Sequence, residues 1–170
     1  MKRIVISIIL IVCLCSCSVQ ENMSPELFLE RFQKYDNNLS ITDSFYQEDS
    51  YICFVRYNIA EIIFYIFTDC NKNVKKINLA CSETDMINEF TDCTESIIRI
   101  YSPDDNSEEI INNLFNPEIT NSEFRYYNTQ WHTYSAICSD NGIYFSVSDK
   151  KLAPESEVDF SLKQNDIVEY

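Results

Sequence analysis

The spacing of apolar residues changes along the chain from a continuous run to helical intervals and then to alternation, and each change predicts an element. Residues 4–14 are apolar except for Ser7. As a helix they would span ~17 Å at about 1.5 Å per residue, too little to cross a hydrocarbon core of about 30 Å. Ser24-Pro25-Glu26 then opens a helix, a capping serine followed by proline at the first helical position, and Leu27, Phe28, Phe32 and Tyr35 give it one apolar side. A strand over 41–46 and strand-like runs over 51–57, 61–68 and 74–81 follow, broken by turn residues at 58–60 and 70–73. Ser82 and Asp85 have the spacing of a capping box and predict a second helix to about Tyr101, with Met86, Phe90, Cys93, Ile97 and Ile100 at helical intervals. Ser102-Pro103 ends it, and a third helix near 107–115 carries Ile110, Ile111, Leu114 and Phe115. Runs over 131–138 and 143–148 flank Asp140-Asn141-Gly142, where Asn-Gly predicts a type I′ hairpin turn. The last alternating run, 157–163, reads as a half-buried strand.

These elements predict an α+β fold with helices packed on an antiparallel sheet. Sliding the chain over itself by 83 positions superposes Ser24 on Ser107, Glu26 on Glu109, Tyr51 on Tyr134, Asn58 on Asn141 and Leu79 on Leu162. Helix, hairpin turn and last alternating run all fall in register. The overlap predicts two tandem α-β-β-β(-β) repeats, about 24–81 and 107–164, joined by the helix over 82–101 within one α+β domain over 24–170. The second half, two helices and up to four strands, resembles in element order the helix-plus-four-strand modules of β-lactamase inhibitor proteins and, more loosely, cystatin-like folds. No motif accompanies that likeness, so it implies no function.

Pairing arithmetic assigns the sheet faces. If Tyr57 pairs with Glu61, Phe54 meets Phe64 and Ile52 meets Ile66; if Asp69 pairs with Val74, Phe64 meets Leu79 and Ile66 meets Ile77. The expected core face is then Ile52, Phe54, Ile62, Phe64, Ile66, Ile77, Leu79 and Cys81. The opposite face carries Tyr51, Cys53, Val55, Ile63, Tyr65 and Phe67 beside Lys76 and Asn78. A sheet covered on one side should show mainly polar groups on the other, and this one does not. That second face is the candidate partner face, covered either by the chain's own other half and loops or by an envelope protein or apolar ligand.

The N-terminus carries the clearest motif. Lys2-Arg3, the apolar run and Leu14-Cys15-Ser16-Cys17 resemble the signal peptide and lipobox of a bacterial lipoprotein. The resemblance implies removal of residues 1–16, a diacylglyceryl group on Cys17, and a lipidated tether over 17–23 that holds the protein to a membrane of the cell envelope, outside the cytoplasm. Cys13 and Cys15 fit less well, because Val12 and Leu14 would fill a slot that takes Gly, Ala or Ser.

Without Lys2 and Arg3, 11 basic side chains face 27 acidic ones. Such a body is repelled by phosphate backbones, so nucleic acid is not expected as a partner and membrane attachment falls to the lipid. An apolar fraction of 45% is that of a folded domain. Besides Cys17, the mature chain holds Cys53, Cys70, Cys81, Cys93 and Cys138, an odd and irregular set without a CxxC pair. The expected registers keep Cys53, Cys70 and Cys81 from bridging one another, whereas Cys93 and Cys138 are left open to a bridge. His132 is the sole histidine, and neither HExxH nor Gly-x-Ser-x-Gly occurs, so no catalytic residue, metal site or cofactor is expected. Asp104, Asn106 and Glu108 begin like a calcium loop, but Glu109 stands where that loop needs glycine. The leading expectation is a noncatalytic binding or interaction module that uses a sheet face or the acidic surface; the competing classes are an envelope enzyme of unfamiliar type and a purely structural envelope component.

Overall fold

The structure, a computed structural model, describes residues 23–116 and 124–150. The lipobox with Cys17 and the alternating run over 157–163 lie outside the described residues. Helix α1 (Pro25–Tyr35) starts where the Ser24 hydroxyl accepts the N–H of Leu27 at 3.3 Å, and it buries Phe28, Leu29 and Phe32. A four-strand meander follows, β1 (Leu39–Gln47), β2 (Ser50–Tyr57), β3 (Ala60–Thr68) and β4 (Val74–Cys81). Helix α2 (Ile87–Tyr101) begins after one 3₁₀ turn and has no side-chain cap, so the capping box expected at Ser82 and Asp85 does not form. Helix α3 (Ser107–Leu114) is capped by Asn106, which accepts the N–H of Glu109. A second meander, β5 (Arg125–Asn128), β6 (His132–Ser139) and β7 (Gly142–Asp149), ends the described chain. Strand β5 was not foreseen; its Tyr126-Tyr127 pair is its only strand-like signal.

The seven strands form one antiparallel sheet in the order β1-β2-β3-β4-β7-β6-β5. The fold is therefore α+β, with helices packed on antiparallel sheet. A helix followed by a meander occurs twice, as α1-β1-β2-β3-β4 and α3-β5-β6-β7, and β4 joins the two by pairing with β7. The place beside β7 that would match the place of β4 beside β3 is thus filled by β4 itself. The described helices pack on one side of the sheet. Phe32 meets Phe64 edge-on at 6.0 Å, Phe90 and Cys93 of α2 are fully buried, and Ser102 at the end of α2 bonds Tyr134 of β6.

The register of β2 on β3 differs from expectation by one residue. Asn58 takes a φ of 53°, a two-residue turn closes over Asn58-Ile59, and Tyr57 faces Ala60 rather than Glu61. Because side chains alternate, that one step turns β2 over. Cys53 lies opposite Phe64 and Val55 opposite Ile62, both inside the core, with Tyr51 on the same helix-facing side. Ile52 and Phe54 turn to the other face. The expected pairing of β3 with β4 holds, Phe64 with Leu79 and Ile66 with Ile77. The turn at the second hairpin also differs. Its loop is Asp140-Asn141, neither at positive φ, so there is no type I′ turn; Gly142 opens β7 at φ 139°.

Candidate functional site

The candidate site is the sheet face turned away from the helices. Strand β3 sets Ile62, Phe64 and Ile66 into the core and Ile63, Tyr65 and Phe67 on the far side, so both of its faces are apolar. Cross-strand pairing assembles a row that crosses all seven strands: Phe45, Ile52, Tyr65, Asn78, Ser146, Ser135 and Tyr126. Its flanks are aromatic and open, with Phe45 43%, Phe54 37% and Tyr126 59% exposed. Its middle is short and polar, with Ser135 2% and Ser146 4% exposed, and Ile52 beside Phe45 is 8% exposed.

Of the residues expected on this face, Ile63, Tyr65 and Phe67 are placed there, while Tyr51, Cys53 and Val55 belong to the opposite side, for the register reason given above. Phe45, Ile52 and Phe54 were missed. The signal that could have found them is the Asn58-Ile59 turn, whose two-residue loop sets the parity of β2. The rings of Phe45 and Phe54 meet at a tilt of 33°, with centroids 6.3 Å apart. The ammonium of Lys76 lies 5.5 Å from the Phe67 ring centroid, and burial lowers its pKa. Burial, with Tyr144 adjacent, raises that of Tyr65. Asn78 Oδ1 is buried without a hydrogen-bond partner among the described residues.

A second cluster gathers at the end of the sheet, on the helix side. His132 Nδ1 lies 2.7 Å from Asp105 Oδ2, and Nε2 lies 3.7 Å from Asp149 Oδ1. Asp105 also accepts from the Tyr134 hydroxyl at 2.6 Å and from Thr129 at 3.1 Å. Asp149 accepts from Tyr101 at 2.9 Å and from Lys75 at 3.4 Å. Burial first, and then the carboxylate each one meets, raise the pKa values of Tyr101 and Tyr134. Two carboxylates facing one imidazole and one ammonium hold each other in a polar knot that ties the loop after α2 to β6 and β7. His132 and Asp149 are each 8% exposed, so the knot lies largely out of water, where matched donors and acceptors count for most. A cleft of about 450 Å³ between α2 and α3 is walled by Ile87, Ile111, Phe115, Asn88 and Asn112, and none of its described lining residues is ionisable. Among the described residues no group of three or more His, Cys, Asp or Glu is placed to hold a metal ion.

The five described cysteines are free thiols, Cys93 and Cys138 included. Burial pushes Cys53 up to about 12 and Cys93 well above the ordinary range, so neither is an activated nucleophile. No described helix is long and apolar enough to cross a membrane. No protein-family model, no curated protein and no solved structure matches the chain.

Proposed function

We propose that the protein is an envelope lipoprotein, anchored through a lipid on Cys17, that acts as a noncatalytic binding module and receives its partner on the aromatic flank of the sheet face. The observation that carries this reading is the pair Phe45 and Phe54, two exposed rings in tilted contact beside Ile63 on a face that no described helix covers. Rings already held in place lose little freedom on binding, and aromatic anchors carry a disproportionate share of interface energy. The polar knot at His132 has its donors and acceptors matched inside the protein, which suits a structural role better than turnover. A strongly acidic body speaks against nucleic acid, so an envelope protein or an apolar ligand is the partner class.

Two measurements test this. Mass spectrometry of the mature N-terminus should find diacylglyceryl on Cys17, and Cys17→Ala should free the protein from membranes; a terminus elsewhere with attachment unchanged would end the lipoprotein reading. Crosslinking in intact cells from position 54 should yield a defined adduct that Phe45→Ala abolishes. Position 35 serves as the control, because Tyr35 is an exposed ring on α1. Equal yields from both positions would remove the flank as the binding surface.

A further inference from the structure

Strand β1 ends the sheet on the side of Phe45 and Phe54, and among the described residues no strand pairs with its outer edge. A row of unpaired N–H and C=O groups is a template for another chain, so natural sheets close such an edge with lysine, proline, a bulge or a covering segment, or keep it short. The other end of this sheet, β5, is four residues long, whereas β1 has nine and contains neither lysine nor proline. One bulge interrupts β1 between Ile41 and Asp43, where the Thr42 hydroxyl donates to the Phe54 carbonyl at 3.0 Å. Beyond it, residues 43–47 pair with β2 without a break.

The turn decides which groups point off the sheet. The two-residue loop Glu48-Asp49 closes on Gln47 and Ser50, and the closing pair of such a hairpin exchanges both of its bonds. Alternation then turns the backbone groups of Gln47, Phe45 and Asp43 toward β2 and those of Tyr46 and Ser44 outward. The Ser44 N–H accordingly goes to the Asp43 carboxylate, at 2.8 Å. Beside this edge, Asp43 and Phe45 stand on the outer face with their partners Phe54 and Ile52, and Ser44 and Tyr46 stand on the helix side with Cys53 and Tyr51.

Charge selects the occupant. Residues 36–50 carry Asp36, Asp43, Glu48 and Asp49 and no lysine or arginine. Nearby bases are engaged: Arg56 pairs with Glu61 at 3.1 Å, and the Lys72 ammonium lies 5.5 Å from the Tyr46 ring centroid. A second copy of β1 would set these carboxylates against themselves, in a chain whose net charge is −14. A basic segment of another protein meets the opposite sign.

We propose that β1 accepts an extended segment of a partner protein as a further strand, in which a basic residue meets Asp43 and, two positions away, an apolar or aromatic residue packs on Phe45. Backbone pairing with Ser44 and Tyr46 supplies affinity and register, and the two side-chain positions supply selectivity. The incoming carbonyl takes the Ser44 N–H from Asp43, whose carboxylate then faces the partner's cation. The proposal rests on the Phe45 and Phe54 flank as the partner surface and adds the form in which the partner arrives.

The probe is a short capped peptide with lysine and phenylalanine two positions apart on one side of the strand and threonine and valine on the other. Titrated into the full-length protein in detergent, it should bind, and methylating one alternate set of its amide nitrogens should weaken binding about tenfold while methylating the other set changes nothing. Glutamate in place of its lysine should also cost about tenfold. Exchange of the Tyr46 amide, fast in the free protein, should slow about tenfold when the peptide is bound. Slow exchange of that amide before any peptide is added would show an edge already paired and overturn the proposal. So would the lack of binding at about 1 mM, or binding indifferent to both methylations. Dimerisation of the free chain that buries the Tyr46 amide would assign the edge to a second copy instead. Phe45→Ala reads the flank separately. Binding that falls in this variant yet ignores methylation would keep the aromatic surface and remove strand addition, and the converse would keep the edge and remove the flank.

Discussion

Phe54 and Phe64 face opposite sides of adjacent strands, and the two rings meet opposite fates. Phe64 is fully buried between Phe32 and Leu79, so Phe64→Ala should cost about 3–5 kcal/mol, transfer loss plus cavity. Phe54 keeps more than a third of its surface in water, and Phe54→Ala should cost ~1 kcal/mol or less. Urea melts of the two variants compare them directly; equal losses would mean that both faces are interior. Asp36 supplies a pH signature. Burial favours its neutral form, but hydrogen bonds from Tyr57 at 2.5 Å and from Asn38 and Ser96 at 3.0 Å outweigh burial and hold its pKa below the ordinary 3.8. A carboxylate with a depressed folded pKa contributes stability that is complete above its unfolded value and is lost as pH falls through the folded one. Tyr57→Phe should therefore flatten the fall in stability between about pH 5 and about pH 3, measured by melts at each pH. An unchanged acid limb would assign that fall to other carboxylates.

At the scale of elements, two features set where strands begin and which way they face. The first is Asn58, whose positive φ is tolerated by asparagine and closes a two-residue loop, fixing the parity of β2. The second is Gly142. A Cβ there would come within 2.5 Å of the Cys81 carbonyl, and φ 139° is strained for any other residue. Gly142→Ala should push β7 away from β4 at the junction of the two meanders and cost about 2–3 kcal/mol. Thermal melts check the loss. Hydrogen exchange should show it concentrated in the amides of β4 and β7; a loss confined to β5 and β6 would contradict a junction held by this contact. The β-character of these strands was readable from Ile, Val, Phe and Tyr content. Their parity was not, because β3 and half of β2 are apolar on both faces, leaving no polar side to choose between registers.

For the whole molecule, the pairing of β4 with β7 matters most. It places residues from both meanders in one core, with Phe64, Leu79 and Phe145 in neighbouring strands under the same helices. The chain should then unfold in a single step, with far-ultraviolet and Trp131 fluorescence transitions coincident in denaturant. Separate transitions would show two independently stable halves. The polar knot works at the same scale: Asp105, His132 and Asp149 come from a loop and two strands, and their mutual satisfaction locks the end of α2 against the second meander.

Apart from β5, the sequence by itself determined the kinds of described element and their order, because 3.6-residue and two-residue periods are local properties that each segment carries alone. It also determined the helix start at Ser24, a third helix near 107–115 and the lack of familiar catalytic motifs, whereas the Asn106 cap came from the structure. Only the tertiary structure decided which face of β2 is buried, that β4 rather than a later strand sits beside β7, and that a lone histidine meets two distant carboxylates. The reason is the same in all three cases. A strand that is apolar on both sides, an antiparallel edge and a buried charge each accept several partners, and only the packing of the complete chain selects one.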